Sequence, residues 1–246
     1  MKIALLLEHG STASSVAATL DMFRLAERFQ PGKGWSPSLY SAHGGTVHLI
    51  EKLTIQTEHM PASLGEFDAI ILPGFSAESA EGIAGCLRTA WFQTVEHLRN
   101  LPSSTIVAAS CYGTFALAEA GMLDGLPATT TWWFADVFRQ RYPKVQLDVD
   151  EALVDSGNVI TAGAMTAHTD LVLHVLRRLG GGELARRVGA SCWWMVRVLR
   201  NVPSCRYRLS FLIRLWGVPS NGWKSGSHNL CMSTNGPRLC ISATVL

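Results

Sequence analysis

Strand-length apolar runs alternate with helical patterns along most of this chain, and this alternation constrains its fold more than any other feature. Lys2–Leu7, Phe67–Gly74 and Thr105–Ser110 are predicted to be buried strands, whereas Ser14–Phe29 and Thr166–Leu179 carry apolar residues at helical spacing. Continuous apolar strands separated by helices are typical of a parallel sheet covered on both faces. The sequence therefore predicts an α/β fold, a three-layer sandwich around a mostly parallel sheet.

Weaker patterns fill the spaces between these five elements. The run Gly180-Gly181-Gly182 is expected to stop the last long helix, because glycine favours helix ends. Ligands bind beyond the carboxyl ends of the strands in such sheets, so the strand exits are the candidate site. The further predicted elements are a strand at Ser36–Ser41, a hairpin at Thr46–Ile55, helices at Ala84–Leu98, Gly113–Ala120 and Trp132–Tyr142, and short strands at Val145–Leu147, Ala152–Val154 and Val159–Thr161.

Charge divides the chain into two regions. Residues 1–190 hold 14 of the 21 Lys and Arg residues and all 19 Asp and Glu residues, whereas residues 191–246 hold seven basic residues and no acid. A break this sharp indicates a boundary. We therefore predict a domain over residues 1–189 and an irregular tail over residues 190–246.

The apolar part of the N-terminal run MKIALLLEHGS is interrupted by a charge at Glu8. It is therefore too short to be a signal peptide or a membrane span. It is better interpreted as a buried strand of a cytoplasmic protein without a membrane partner. Four of the six cysteines lie in the tail, and no C-x-x-C pair occurs. These spacings predict neither a disulfide framework nor a metal site, and no cofactor is expected.

The segment TIVAASCYGTFALAEAG, residues 105–121, carries the clearest chemical signal. A buried strand runs into Cys111, a glycine follows two residues later, and a helix begins at once. Such a turn exposes a side chain at the top of a sheet, and the following helix N-terminus lowers a thiol pKa. The amides of Tyr112 and Gly74 could then form an anion or oxyanion pocket. The alternative is that Cys111 is a small buried filler.

These residues resemble the amidase-like domain of GlxA-type regulators, in the PfpI branch of the class I glutamine amidotransferase-like superfamily. The matching pieces are this cysteine elbow, AEAGMLDG, ATT-x-W, ITAGAMTA-x-x-DL, and upstream FDAIILPGF and SSVAATLDMFRLAERF. The resemblance covers residues 1–189 and implies a flavodoxin-like sheet. It identifies the region as the amino-terminal ligand-sensing half of an AraC-type transcription regulator.

Enzymes of this superfamily pair the elbow cysteine with a histidine and an acid, since a thiol needs a base to become a thiolate. The position of the family's histidine before the Trp of the ATT segment is Thr131 here. The residue after the cysteine, a histidine in proteases of the branch, is Tyr112. The usual acid aligns with Ser15, and the Gly-Pro of the first helix aligns with Ala18-Thr19. With only Cys111 kept, the resemblance predicts a domain that catalyses nothing.

Histidines elsewhere remain candidates for the missing base. His168 begins a helix near the strand ends and is the best placed of them to line the pocket, although a polar helix-start residue facing solvent is the simpler alternative. The other unplaced candidates are His9, His43 and His48.

Three aromatic residues lie near the predicted strand exits. One of Trp132 and Trp133 is expected to pack on the sheet, and the other to form an apolar wall over a small ligand. Phe75 follows Gly74, and its ring could shape the pocket rim or fold back into the core.

The resemblance implies a sensor that binds a small metabolite, acts as a homodimer, and reaches DNA only through a C-terminal domain not recognisable in this chain. Two alternatives remain: a cysteine-dependent amidase, hydrolase or hydratase, which needs an undetected base, and a nonfunctional product of a degraded gene. The predicted ligand-binding residues are Gly74, Phe75, Cys111, Tyr112, Thr131, Trp132 and His168.

The resemblance stops after Val188, and the tail has the composition of a misread frame. It contains four of the eight tryptophans and no helix-turn-helix pattern. Back-translating Cys192–Arg197 in a shifted frame permits LVDGS, and Asn221–Leu230 permits WLEVWLAQP in that same frame. Both resemble what the family has next, which favours one frameshift near residue 190, in the gene or its sequencing. The alternative is a genuine basic arm for nucleic acid or membrane. The nucleotide sequence from codon 185 onward decides between them.

Overall fold

The computed structural model describes residues 1–192, 228–232 and 239–243. Contacts divide the chain into two units, Met1–Arg206 and Tyr207–Leu246. In the second unit, two strands pair in antiparallel fashion. The predictions of a shifted frame and of a missing DNA-binding domain otherwise concern residues outside the described part of the chain.

The first unit is built on an eight-stranded sheet in the order β3-β4-β2-β1-β5-β6-β10-β9. Its central strands are parallel, and only the two edge pairs, β3 with β4 and β9 with β10, are antiparallel. β7 and β8 form a separate parallel pair. The strands are β1 Ile3–Leu6, β2 Ser38–Ser41, β3 Gly45–His48, β4 Thr54–His59, β5 Ala69–Leu72, β6 Ile106–Ser110, β7 Pro127–Ala128, β8 Gln146–Leu147, β9 Leu153–Asp155 and β10 Val159–Ala162 in this unit, and β11 His228–Met232 and β12 Leu239–Ala243 in the second.

Seven helices cover both faces of this sheet in the described part of the first unit. One apolar core lies between the sheet and α1, α6 and α7, and the other lies between the sheet and α2 to α5. The fold is thus the predicted three-layer α/β sandwich with a mostly parallel sheet. The helices are α1 Ala13–Phe29, α2 Ala80–Arg88, α3 Phe92–Leu98, α4 Gly113–Glu119, α5 Ala135–Arg141, α6 Ala167–Gly180 and α7 Gly182–Cys192.

Two predicted helices differ from those observed. The predicted helix Ala84–Leu98 is two helices, because the chain turns after Arg88 and places Trp91 fully in the core. The predicted helix Trp132–Tyr142 starts as a 3-10 turn, Trp132–Phe134, before α5 begins.

The glycine run ends the long helix, as predicted, but helical structure is interrupted only at Gly181. α6 ends at Gly180, and Gly181 has a φ of +87°, which favours glycine. A new helix, α7, then begins at once and continues to Cys192, three residues beyond the predicted boundary at 189. Leu184 and Val188 of α7 are buried in the core shared with α1.

The sheet changes winding direction between β1 and β5. The helix after β1 packs on one face, and the helices after β5 pack on the other. Ligand sites in open α/β sheets lie at such a switch point. Here backbone pairing spans the crevice, since Thr12 N donates to Gly74 O (2.8 Å) and Ser76 N donates to Gly10 O (2.8 Å). The next strand exit, after β6, carries Cys111 to the same edge.

Candidate functional site

The predicted cysteine elbow is present at the end of β6. Cys111 has a φ of +52°, in the left-handed region that a residue with a side chain rarely adopts. Its carbonyl accepts hydrogen bonds from Thr114 N (3.2 Å) and Thr114 Oγ1 (2.6 Å). A Cβ at Gly113 would lie 2.6 Å from Pro73 O, so only glycine lets α4 start this close to the neighbouring strand exit. The elbow is therefore fixed by backbone contacts on both sides.

Gly74 lies directly against the Cys111 side chain. A Cβ added at Gly74 would lie 2.8 Å from Cys111 Cβ, 3.3 Å from Cys111 Sγ and 3.3 Å from Thr12 Oγ1. The sulfur and the Thr12 hydroxyl are thus both within 3.3 Å of the same point next to Gly74. Thr12 is the N-cap residue of α1, yet its side chain makes no capping hydrogen bond.

Sequence reasoning missed Thr12. Its only signal was its place in the Ser/Thr-rich start of α1, which indicates an ordinary helix cap. Because the hydroxyl does not cap the helix, it is available beside the sulfur for hydrogen bonding to another group.

The predicted lowering of the thiol pKa is wrong. Burial raises the pKa of Cys111 to about 11, because the side chain is only 8% exposed and a thiolate there would lose its hydration. The backbone amide of Tyr112 acts in the predicted direction, but its effect is the smaller one. Among the described residues, no imidazole or carboxylate forms a hydrogen bond with the sulfur. Cys111 is therefore a neutral thiol at physiological pH.

The two positions at which the sequence resemblance expects the family's histidine and acid hold buried hydroxyls. Thr131 is 0% exposed and Ser15 is 3% exposed. Neither Thr131 Oγ1 nor Ser15 Oγ has a hydrogen-bond partner among the described residues. Buried polar atoms without partners are rare in native proteins, and each favours an unseen water or ligand as the partner. Neither hydroxyl can act as a general base at neutral pH.

His168 is fully buried, so the predicted alternative of a solvent-facing residue is wrong. Its Nε2 is 2.7 Å from Thr19 Oγ1, and its Nδ1 is 2.8 Å from Ser110 Oγ. Thr19 donates its hydroxyl hydrogen to Ser15 O, so Nε2–H donates to Thr19 and Nδ1 accepts from Ser110. Burial lowers the pKa of His168 to about 4, and the ring is neutral at physiological pH.

The His168 ring therefore joins α6, α1 and the end of β6 immediately before the elbow. The ring holds these three elements together behind Cys111, and both of its nitrogens already form hydrogen bonds.

The predicted aromatic residues form one connected group beside the elbow. Phe75 is 3% exposed and packs against Trp91 and Tyr112, with ring centroids 5.2 and 5.7 Å apart, so it folds into the core. Trp133 Nε1 donates to Tyr112 Oη at 2.7 Å. Trp132 and Trp133 contact edge to face at 5.6 Å, and both remain exposed, 45% and 44%.

These exposed rings are the accessible part of the aromatic group. The prediction that one of the two tryptophans packs on the sheet is wrong, because both rings remain exposed and Trp133 contacts Tyr112 instead.

The fold and the elbow define a class of protein: a three-layer α/β domain with a cysteine on a strand-to-helix turn at the carboxyl edge of a parallel sheet. The chain belongs to the DJ-1/PfpI family, whose model matches residues 1–178. This confirms the resemblance found in the sequence.

Regulators and an enzyme are among its relatives. The HTH-type transcriptional regulator CdhR of Pseudomonas aeruginosa is 27% identical over 185 residues, 74% of this chain and 52% of that protein. The isonitrile hydratase of Pseudomonas putida is 32% identical over 98 residues, 39% of this chain and 41% of the hydratase. The chain spans about half the length of the curated regulators it matches.

A solved structure shows the same fold. It is an AraC family transcriptional regulator from Pseudomonas putida, with a TM-score of 0.62 at 16% identity, covering 78% of this chain and 99% of that one. Within the described residues, no helix of this chain has the length and apolarity needed to span a bilayer.

Proposed function

We propose that the described residues 1–192 belong to the ligand-sensing domain of an AraC-type transcription regulator, and that this domain binds a small metabolite at the elbow without transforming it. The observation that carries the proposal is the neutral thiol of Cys111, whose pKa burial raises to about 11 and which has no base beside it. Nucleophilic catalysis needs a thiolate, which requires a base or a cationic neighbour. The same position can still contact a ligand through van der Waals and weak hydrogen bonds.

Unpaired hydroxyls support a polar ligand at this place. Thr12 Oγ1 lies beside the sulfur, and Thr131 Oγ1 is buried without a partner in the described structure. A small amide or amino acid, consistent with the amidase ancestry of the fold, offers donors and acceptors for such groups. Trp132 supplies an exposed apolar wall at the rim.

The remaining predicted residues act indirectly in this proposal. Gly74 leaves space against the sulfur, and His168 holds the elbow strand on the helices behind it. Phe75 and Tyr112 form the aromatic floor that positions Trp133.

We propose a homodimer in the cytoplasm, in which ligand binding shifts the equilibrium between two dimer geometries and so acts on a DNA-binding domain. Regulators named among the relatives support the DNA-binding context. The frameshift near residue 190 remains our explanation for the absence of a recognisable helix-turn-helix in this sequence, and sequencing the locus tests it.

Tryptophan fluorescence tests ligand binding. Glutamine, asparagine and acetamide are titrated into the wild type and into Trp132→Phe and Thr12→Val variants. We expect saturable quenching with at least one of these probes, weakened tenfold or more in Thr12→Val because a buried hydrogen bond is lost. Trp132→Phe should show a smaller change in fluorescence, because it lacks the exposed ring at the proposed rim. Equal responses in Thr12→Val and the wild type would count against a site at the elbow.

A hydratase is the second candidate, favoured by the likeness to the Pseudomonas putida isonitrile hydratase over 98 residues and by the presence of a cysteine at the elbow of this chain. Incubation with an alkyl isonitrile, followed by assay of the formamide product, tests it. Turnover that disappears in Cys111→Ser would establish this activity and contradict a purely sensing role. We expect no product above the level of Cys111→Ser.

A further inference from the structure

A small pocket lies at the carboxyl ends of β1 and β2, and none of the elbow residues lines it. Its walls come from the exit of β1, the loop between β2 and β3, and the connection from α2 to α3. The volume of about 90 Å³ far exceeds the roughly 10–15 Å³ that one water requires. The pocket can therefore hold a molecule of several heavy atoms.

A buried carboxylate faces this pocket. Glu8 lines it and is 5% exposed. Its Oε1 accepts hydrogen bonds from Ala42 N (2.9 Å) and Thr94 Oγ1 (2.8 Å). Its Oε2 accepts none from any residue that the structure describes, and no described Lys or Arg pairs with it. Burial raises the pKa of Glu8 and the charge of the nearby His43 lowers it, so among the described residues the carboxylate has a histidine but no Lys or Arg as a cationic neighbour.

Other hydrogen-bonding groups surround that position. His43 and Gln93 line the pocket, and neither side chain forms a hydrogen bond with a described residue. His9 is fixed at the rim, because its Nδ1 accepts from His48 N at 3.0 Å and its ring stacks on His48 at 5.4 Å. His43 and Gln93 can each offer an acceptor to a molecule bound in the pocket that Glu8 also lines.

We propose that this pocket binds a small primary ammonium group, with Glu8 as its counter-ion and His43 and Gln93 as further acceptors. A primary ammonium has three donors and one positive charge, which match three acceptors and one carboxylate. A divalent metal fits less well, since no three His, Cys, Asp or Glu side chains in the described chain converge to hold one.

A guanidinium fits less well for a different reason. It binds a carboxylate through both oxygens in a fork, and Oε1 of Glu8 already accepts two hydrogen bonds. The single free oxygen favours the compact ammonium instead.

Thermal unfolding of the full chain tests the proposal, with methylammonium chloride as the probe and sodium and tetramethylammonium chloride at equal ionic strength as controls. Methylammonium should raise Tm saturably, by about 3–5 °C at ten times its dissociation constant. Tetramethylammonium has no N–H donor and should act like sodium. Glu8→Gln should abolish the methylammonium effect, whereas Glu81→Gln, the same change at an exposed carboxylate, should keep it.

The variant Cys111→Ala separates this pocket from the elbow. It should keep the full methylammonium response, so failure of the elbow proposal leaves this result unchanged. Saturation-transfer NMR on the wild type gives a second measurement that does not depend on the folding of Glu8→Gln. Equal responses to the three salts, or a full response in Glu8→Gln, would overturn the proposal.

Discussion

Cys111 holds a backbone conformation that costs a residue with a side chain on the order of 1–3 kcal/mol. The surroundings impose it: Cys111 N donates to Ala162 O at 3.0 Å, and Gly113 lies against Pro73 O. Strain of this kind persists where packing determines it fully, and it concentrates at functional sites. Here the strained residue presents a thiol that burial keeps protonated.

The contact between Gly74 and Cys111 predicts a strong effect of a single methyl group. Gly74→Ala would place a Cβ 2.8 Å from Cys111 Cβ, so we expect a destabilisation of about 1–3 kcal/mol in urea unfolding. In the double variant Gly74→Ala/Cys111→Gly, the clashing atoms are gone, and most of that loss should be recovered.

Gly85→Ala is the control, because nothing lies within 4 Å of a Cβ there and the residue is helical. It should be neutral or stabilising by up to about 1 kcal/mol. A Gly74→Ala variant as stable as the wild type would show that the close approach at the elbow is wrong.

Individual site residues could be predicted where the signal is local. Cys111 and Gly74 stand at strand exits that short apolar runs and glycines define in the sequence, and the structure brings these two together. The thiol pKa and the role of Thr12 could not be predicted, because both depend on burial and on chain segments distant in sequence. The sequence motif predicts the helix amide near the sulfur. It does not predict the stronger effect of desolvation on the thiol pKa, because that depends on how deeply the fold buries Cys111.

At the scale of elements, the side chain of His168 on α6 connects α1 with β6, the strand that leads to the elbow. Its neutral ring connects Thr19 of α1 with Ser110 of β6. A buried imidazole with two neutral partners resists protonation, which is why its pKa falls to about 4. Protonation of His168 in acid should therefore weaken this connection between α1, α6 and β6.

The linkage sign predicts an acid-labile fold. Between about pH 6.5 and 4, the unfolded state binds a proton at His168 that the folded state does not, so stability falls as pH falls through this range. The group contributes a loss of about 3 kcal/mol. We expect His168→Gln to lose less stability over this range than the wild type does, measured by urea unfolding at several pH values.

His97→Gln changes a partly exposed histidine of α3 and is the control; it should keep the wild-type slope. Parallel pH profiles for the wild type and His168→Gln would contradict a buried neutral ring.

Helix and strand patterns predicted the core elements because their apolar spacing reflects burial directly. The break between α2 and α3 escaped prediction, since the helical pattern continues while Trp91 turns into the core. α7 was not predicted for another reason. Three consecutive glycines indicate the end of a helix, and the new helix is favoured by the packing of Leu184 and Val188 in the core shared with α1 and α6, which local sequence does not show.

At the scale of the whole molecule, α7 closes the core that α1 and α6 form with the sheet. The predicted boundary at residue 189 therefore falls inside this helix, which is described as far as Cys192. The alternation of strands and helices in the sequence predicts the three layers. It does not predict that α7 joins the layer of α1 and α6, because that depends on contacts between residues distant in sequence.

Truncation tests how much α7 contributes to the stability of the first unit. A chain of residues 1–192 should unfold cooperatively with nearly the Tm of the full chain, since it keeps all the described contacts of both cores. A chain of residues 1–181 loses Leu184 and Val188, two side chains 1% and 0% exposed. It should be less stable by about 3–5 kcal/mol. Equal stability of the two truncations would contradict the packing of α7.

The pH dependence of Cys111 alkylation by iodoacetamide tests the central claim most directly. The rate is followed by mass spectrometry of the peptide that contains Cys111, so the other cysteines do not interfere. A thiol without a base should react slowly at neutral pH, and its rate should rise toward an apparent pKa of about 11. Fast alkylation at pH 7, with an apparent pKa below about 8.5, would show a thiolate at the elbow and contradict binding without catalysis.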